Sequence, residues 1–396
     1  MPPPIETTLD LAREPAEATS PTAAATATGE DAYGTYLARR HFGSLDGIRC
    51  LCILAVVWHH IPKAASWPPP ARRGFLGVDM FFLLSGFLIV TLLLRERRRT
   101  GGIHLPNFYA RRTLRIFPIY YLLLATVSFA YLAVKPGSAS AAAWFAGLPY
   151  LLTYTLNWVH ASVGNLSVAW SLAAEEQFYL VWPAAEKYLK PRWTPAVLLA
   201  VIGVNQLLNF RLIDPVVVAL YGTYPNLEIL QTTFTPIALG ALLAHILDRR
   251  GGFEAMRRLV GGRWAFVAPA AALAALLVLA PQDIAGWPRL GIQLAMMLLL
   301  ASVVVREDHA ARPFLSWGPV ARIGLISYGM YLYHMFAIQA VVMLLGRLKF
   351  DATWVVFAAS TLATIAVAEV SFRLIESPLL QLKGRFGGVK GARPTA

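Results

Sequence analysis

Arg49 and His60 stand at the two ends of an apolar run, CLCILAVVWH, and are the residues with most chemical capacity near the start of the chain. On a helix, eleven residues come to roughly 20° beyond three full turns, so the two side chains share a face about 16 Å apart. His59 lies roughly 80° off that line. Asp46, three residues before Arg49, is placed to pair with it. A neutral imidazole is the usual general base near pH 7, and an ionisable group deep in an apolar segment faces the bundle interior. The plainer reading has Arg49 snorkelling to a membrane interface and His60 packed against a neighbouring helix.

A second cluster is NFYARRTLRIFPIYY, residues 107–121, with Arg111, Arg112 and Arg115. Arg112 and Arg115 share a helix face, and guanidinium forks suit phosphate oxygens. The same arginines also serve as a topology signal. Acidic groups follow: Asp79 in GVDMFFLLSGFLIV, and Glu175 and Glu176 in WSLAAEEQFYLVWP, which opens at Trp170. A carboxylate at a helix start is favoured by the dipole, but two consecutive glutamates in an apolar run need a protein partner. SYGMYLYHMFAI holds Ser327, Tyr328 and His334. Ser327 and His334 share a face but are separated by about 10 Å of rise, too far for a direct bond. Glu369 and Arg373 are spaced as a structural ion pair. No HxxxH or CxxC occurs, so no metal site is expected. Cys50 and Cys52 point apart on a helix, which disfavours a disulfide between them.

The elements that must position these groups follow from composition. Of the 396 residues, 57% are hydrophobic and 14% charged, against about 25% charged in soluble domains. The apolar runs predict an all-α polytopic bundle of about ten membrane helices, at 46–62, 76–94, 116–134, 170–187, 195–213, 226–247, 264–281, 288–305, 322–345 and 353–374. The run 142–158, interrupted at Gly147 and Pro149, reads as re-entrant or interfacial, with an eleventh span as the alternative. Of 35 lysines and arginines, this map puts 26 on the side of the N-terminus and eight on the other, with Arg49 inside the first span. The positive-inside rule then makes both termini cytoplasmic in a multi-pass protein of the cytoplasmic membrane. The net charge of +13 is spread over loops on one face, which argues against nucleic acid. Residues 1–44 read as a disordered tail rich in Pro, Ala and Thr, 45–380 as the membrane domain, and 381–396 as a short basic tail.

SLDGIRCLCILAVVWHH, GFLGVDMFFLLSGFLIVTLL, FYARRTLRIFP, WSLAAEEQFYLVWP, SYGMYLYHMF and IESP, in this order, resemble landmarks of the acyltransferase-3 family of integral membrane O-acyltransferases. The resemblance covers about residues 44–385. It implies transfer of an acyl group, usually acetyl from acetyl-CoA as co-substrate, to a hydroxyl, commonly of a carbohydrate. His60 would be the base or transient acyl acceptor, Arg49 and the inner arginines would handle the donor, and Glu176 stands with His60 and Arg49 among the catalytic candidates. Arg111, Arg112 and Arg115 would hold the donor, and Asp79, Trp170, Glu175, Tyr328 and His334 are further candidates. Members often carry an Arg and an Asp before the glycine of the sixth span, where this chain has Thr232, Thr233 and Thr235. The sequence also ends at Ala396 without the hydrolase-like domain some members append. The expected acceptor is therefore a cell-surface glycan or glycolipid, or else a secreted small molecule such as a macrolide. The rival class is a proton-coupled transporter that uses His60 and the glutamates as a relay.

Overall fold

A computed structural model describes residues 31–39, 41–62, 67–159, 161–221, 227–282, 284–350 and 352–382. Among them every regular element is helical. The chain begins with α1 (Ala32–Ala38), α2 (Ser44–His59), α3 (Pro69–Arg72), α4 (Leu76–Thr100) and α5 (Leu105–Val134). It continues through α6 (Ala139–Leu152), α7 (Trp170–Tyr188), α8 (Thr194–Asn209), α9 (Asp214–Tyr221), α10 (Leu227–Asp248) and α11 (Arg250–Val260). Then come α12 (Val267–Leu279), α13 (Trp287–Val305), α14 (Arg312–Leu315), α15 (Gly318–Leu325), α16 (Ser327–Arg347), α17 (Thr353–Ser371) and α18 (Ser377–Gln381). A π-helical turn, Phe372–Glu376, joins the last two.

Among the described residues, five stretches are long and apolar enough to cross a membrane: α4, α5, α13, α16 and the run Thr353–Gln381. Each of the ten expected spans falls on a helix, with shifted ends. The third begins eleven residues early, at Leu105, so Arg111, Arg112 and Arg115 lie inside α5. The ninth is divided at Ile326, where α15 ends and α16 starts. Within 142–158 the expected interruption at 147–149 is absent. The helix α6 runs on through Pro149 to Leu152, with Trp144 and Leu151 buried. The disordered reading of 1–44 is corrected for 32–38, where Tyr36 of α1 is buried and its ring lies 5.2 Å from that of Phe253 on α11. Residues 1–30 and 383–396 lie outside the described residues.

The helix α4 is the axis of the bundle. Its Leu83, Phe87 and Val90 enter one buried cluster with α10 and α13, whereas Val78 and Phe82 enter another with α2, α5, α7 and α16. Glycines set its closest crossing. A Cβ at Gly86 would collide with the carbonyl oxygen of Ile237, and one at Gly240 with that of Leu83, so α4 and α10 meet backbone to backbone. The helix α2, which carries Arg49 and His60, is gripped at its start and its middle. Gly324 of α15 abuts the Asp46 carbonyl, and Gly77 of α4 packs on the Cys52 carbonyl.

Polar contacts tie helix ends together. Arg97, Glu186 and His245, in the last turns of α4, α7 and α10, form one buried network: Arg97 Nη2 lies 2.7 Å from Glu186 Oε1, and His245 Nε2 3.1 Å from Glu186 Oε2. At the opposite end, Arg73 donates to the carbonyls of Leu276, Leu277, Ala280 and Pro281 at 3.1, 3.0, 2.7 and 2.7 Å. It thereby satisfies the Leu277 carbonyl, which the last turn of α12 leaves open. Arg322 of α15 pairs with Glu369 of α17 through two bonds of 2.9 and 2.8 Å.

Candidate active site

A cavity of about 110 Å³ runs beside α4. Val78, Phe82, Ser85, Ile89 and Leu92 line it at alternating spacings of four and three, one face of a helix. The fourteen steps from Val78 to Leu92 rise about 21 Å. Facing them are Arg49 of α2, Arg112 and Arg115 of α5, Glu175 and Glu176 of α7, and Ser327, Tyr328 and Tyr331 of α16. Residues far apart in sequence thus converge because α4 is packed on both sides.

The charged groups are held differently. Arg49 Nη1 lies 2.5 Å from Asp46 Oδ1, the pairing that their spacing suggests. The Arg112 guanidinium sits 3.8 Å from the centroid of the Tyr179 ring, a cation–π stack. Glu175 accepts from the hydroxyls of Ser85 and Tyr179. Arg115 lines the cavity and makes no hydrogen bond or ion pair among the described residues. Its fork is available to an anion. Ser171 and Tyr331 join hydroxyls at 2.6 Å, and Tyr328 donates to the Ile116 carbonyl at 3.2 Å.

The histidines form a second group next to this cavity. His60 caps α2 and stays in the helical region, at φ −89° and ψ −1°, so the face it shares with Arg49 survives to the helix end. Its Nδ1 lies 2.9 Å from the Val56 carbonyl and 3.3 Å from Nε2 of His334. His334 is fully buried, and its Nδ1 donates to the Tyr331 carbonyl at 2.7 Å. Tyr331 belongs to both groups, through its side chain in the cavity wall and its carbonyl on His334. His59 turns away and bonds the Arg72 carbonyl at 3.2 Å.

The structure therefore gathers Arg49, Arg112, Arg115, Glu175, Glu176 and Tyr328 around one cavity, with His334 beside Tyr331 and His60 on His334. Three candidates lie elsewhere. Arg111 pairs with Glu96 at 3.3 Å. Asp79 is buried in an ion pair with Arg289 at 2.7 Å and accepts from Gln293 at 3.1 Å, so it fastens α4 to α13. Trp170 packs on Phe82 at 6.2 Å, behind the cavity wall. Thr235 bonds Asn205 and Gln206 of α8 at 2.6 and 2.7 Å, whereas the side chains of Thr232 and Thr233 lie outside the described residues. Sequence reasoning missed Ser85 and Tyr179. Ser85 carries the signal of a polar residue in an apolar span, and Tyr179 stands at i+4 from Glu175.

A family model described as an acyltransferase domain, Acyl_transf_3, matches residues 42–371. The chain belongs to the acyltransferase-3 family. It is 28% identical over 365 residues to the O-acetyltransferase OatA of Staphylococcus aureus (strain NCTC 8325 / PS 47), covering 86% of this chain and 57% of that protein. It is also 28% identical over 367 residues to the peptidoglycan O-acetyltransferase OatA of Listeria monocytogenes, covering 87% of this chain and 57% of that protein. The chain thus spans just over half the length of these relatives. No solved structure matches.

Proposed function

We propose that this member of the family is a membrane-embedded O-acyltransferase that moves an acyl group, acetyl by preference, from acyl-CoA to a hydroxyl of a cell-surface carbohydrate. The observation that carries this reading is the unpaired guanidinium of Arg115 in a cavity that also holds Arg49 and Arg112. An anionic donor with a long thin arm suits a cavity with cations at one end and apolar walls along α4. Phosphates would engage Arg112 and Arg115, and the pantetheine arm would extend along Phe82 and Val78 toward the histidines. His60 would take the proton of the acceptor hydroxyl on its free ring nitrogen as that oxygen attacks the thioester carbonyl. The C–S bond then breaks, and the imidazolium returns the proton to the departing thiolate. The carbohydrate acceptor is supported by the name of the Listeria relative. In this arrangement ten helices cross the cytoplasmic membrane and both termini are cytoplasmic.

Purified protein in detergent, given acetyl-CoA and no ion gradient, is expected to release free thiol. His60→Ala is expected to lower that rate by about 10²–10⁴, the usual worth of a general base, while still inserting and purifying. His59→Ala should stay within a few-fold, because its ring is tied to the Arg72 carbonyl. Absence of thiol release, with transport appearing only under a proton gradient, would favour the transporter class instead.

A further inference from the structure

The geometry points to His334 as a positioning residue for His60: it fixes the tautomer that leaves Nε2 of His60 basic, and it holds the imidazolium that forms there. This inference rests on the reading of His60 as the base. Two carbonyl oxygens flank the histidine pair, and a carbonyl can only accept hydrogen bonds. The Val56 carbonyl lies 2.9 Å from Nδ1 of His60, so Nδ1 bears the hydrogen. The Tyr331 carbonyl lies 2.7 Å from Nδ1 of His334, so that Nδ1 bears one too. In the neutral rings, both Nε2 atoms then keep their lone pairs. Nε2 of His334 is directed at Nδ1 of His60 across 3.3 Å, as acceptor to donor.

The N–H of His60 is therefore shared between a carbonyl and a buried imidazole. Two acceptors on one N–H hold the ring in place and exclude the other tautomer. A second proton on His334 would set N–H against N–H across this contact, so His334 acts as a neutral acceptor. When Nε2 of His60 takes the acceptor's proton, Nδ1–H becomes the donor of a charged group, and such bonds are about twice as strong as neutral ones. The contact to His334 is then strongest while the imidazolium exists. That proton leaves again from Nε2 to the thiolate, and His334 never gives up its own. His334 has no other route to the chemistry, since it is fully buried and stands behind Tyr331.

The test uses the purified full chain with acetyl-CoA as the probe and thiol release as the readout, for His334→Leu, His334→Gln and His60→Ala. Partners that orient a working histidine are worth about 10–100-fold. His334→Leu keeps the bulk and removes the acceptor, so kcat should fall about 10–100-fold while KM for acetyl-CoA is unchanged. His334→Gln places an amide oxygen near the position of Nε2 and should restore most of kcat. A His334→Leu enzyme with full kcat overturns the proposal, as does a Gln variant no better than Leu when both melt like the parent. If both His334 variants lower the melting temperature and raise KM by as much as they lower kcat, the residue is packing alone and the proposal falls. An active His60→Ala enzyme would remove the base itself, an outcome separate from any result at position 334.

Discussion

Arg111 and Arg112 are adjacent in the chain and are held by different partners. Arg111 pairs with Glu96 in a partly buried contact, and Arg112 stacks on Tyr179 in the cavity wall with Arg115 one turn further on. A guanidinium that binds donor phosphates does so before and during reaction, so its removal should raise KM more than it lowers kcat. Hydrogen bonds to charged groups are worth roughly 1.5–3 kcal/mol, or about ten- to a hundredfold in affinity. Arg112→Ala and Arg115→Ala are therefore expected to weaken acyl-CoA binding by that factor. Lysine at either position should rescue only in part, since it keeps the charge and loses the fork. Arg111→Ala should cost less than about fivefold, the range of an exposed ion pair. Titration calorimetry in detergent checks all of these, and unchanged affinity in both the 112 and 115 alanine variants would remove the donor from this cavity. The two α5 arginines that line the cavity were legible from their i, i+3 spacing. That Arg111 is not among them was not legible, because Glu96 meets it only through the turn between α4 and α5.

At the scale of elements, the site depends on how closely α4 is approached from both sides. Gly86 and Gly240 are 154 positions apart and touch each other's helix backbones at Ile237 and Leu83. Gly240→Leu should therefore cost at least the upper part of the about 1–3 kcal/mol typical of overpacking. Gly203, within α8 and exposed, has open space where a Cβ would go. Gly203→Ala should be neutral or stabilise by up to about 1 kcal/mol. Thermal unfolding of the purified variants measures both, and equal effects would mean that the α4–α10 crossing is looser than its backbone contacts indicate. Helix positions were readable because apolar period and length are local properties. The crossing was not, because nothing near Gly86 encodes Gly240. The continuity of α6 through Pro149 has the same origin: burial of Trp144 and Leu151 against the bundle outweighs the missing N–H that made the sequence look interrupted.

At the scale of the molecule, the contacts between helix ends fix the direction of each helix. Arg97, Glu186 and His245 gather the C-terminal ends of α4, α7 and α10, so these three helices run parallel. With α5 returning between α4 and α7, the proposed arrangement has α6 stop short of a further crossing, since a full crossing would turn α7 over. The Arg73 bonds put the C-terminal end of α12 beside the N-terminal end of α4, and the pair Arg289–Asp79 sets the start of α13 there too. At the other face, Gly324 meets the start of α2, and Arg322 meets the end of α17. The first and last of these helices thus have their outer ends on the same face. Only the choice of face is left to the charges, and it rests on the 26 basic residues against eight. This predicts that a cysteine at Gly137, in the turn between α5 and α6, reacts with an impermeant thiol reagent from outside intact cells. A cysteine at Gly251, at the start of α11 with Arg250, should react only after permeabilisation. Both native cysteines are buried, so the background is low. Labelling of position 251 from outside, with 137 protected, would invert the whole bundle and place the arginine end of the cavity away from the cytoplasmic pool of acyl-CoA.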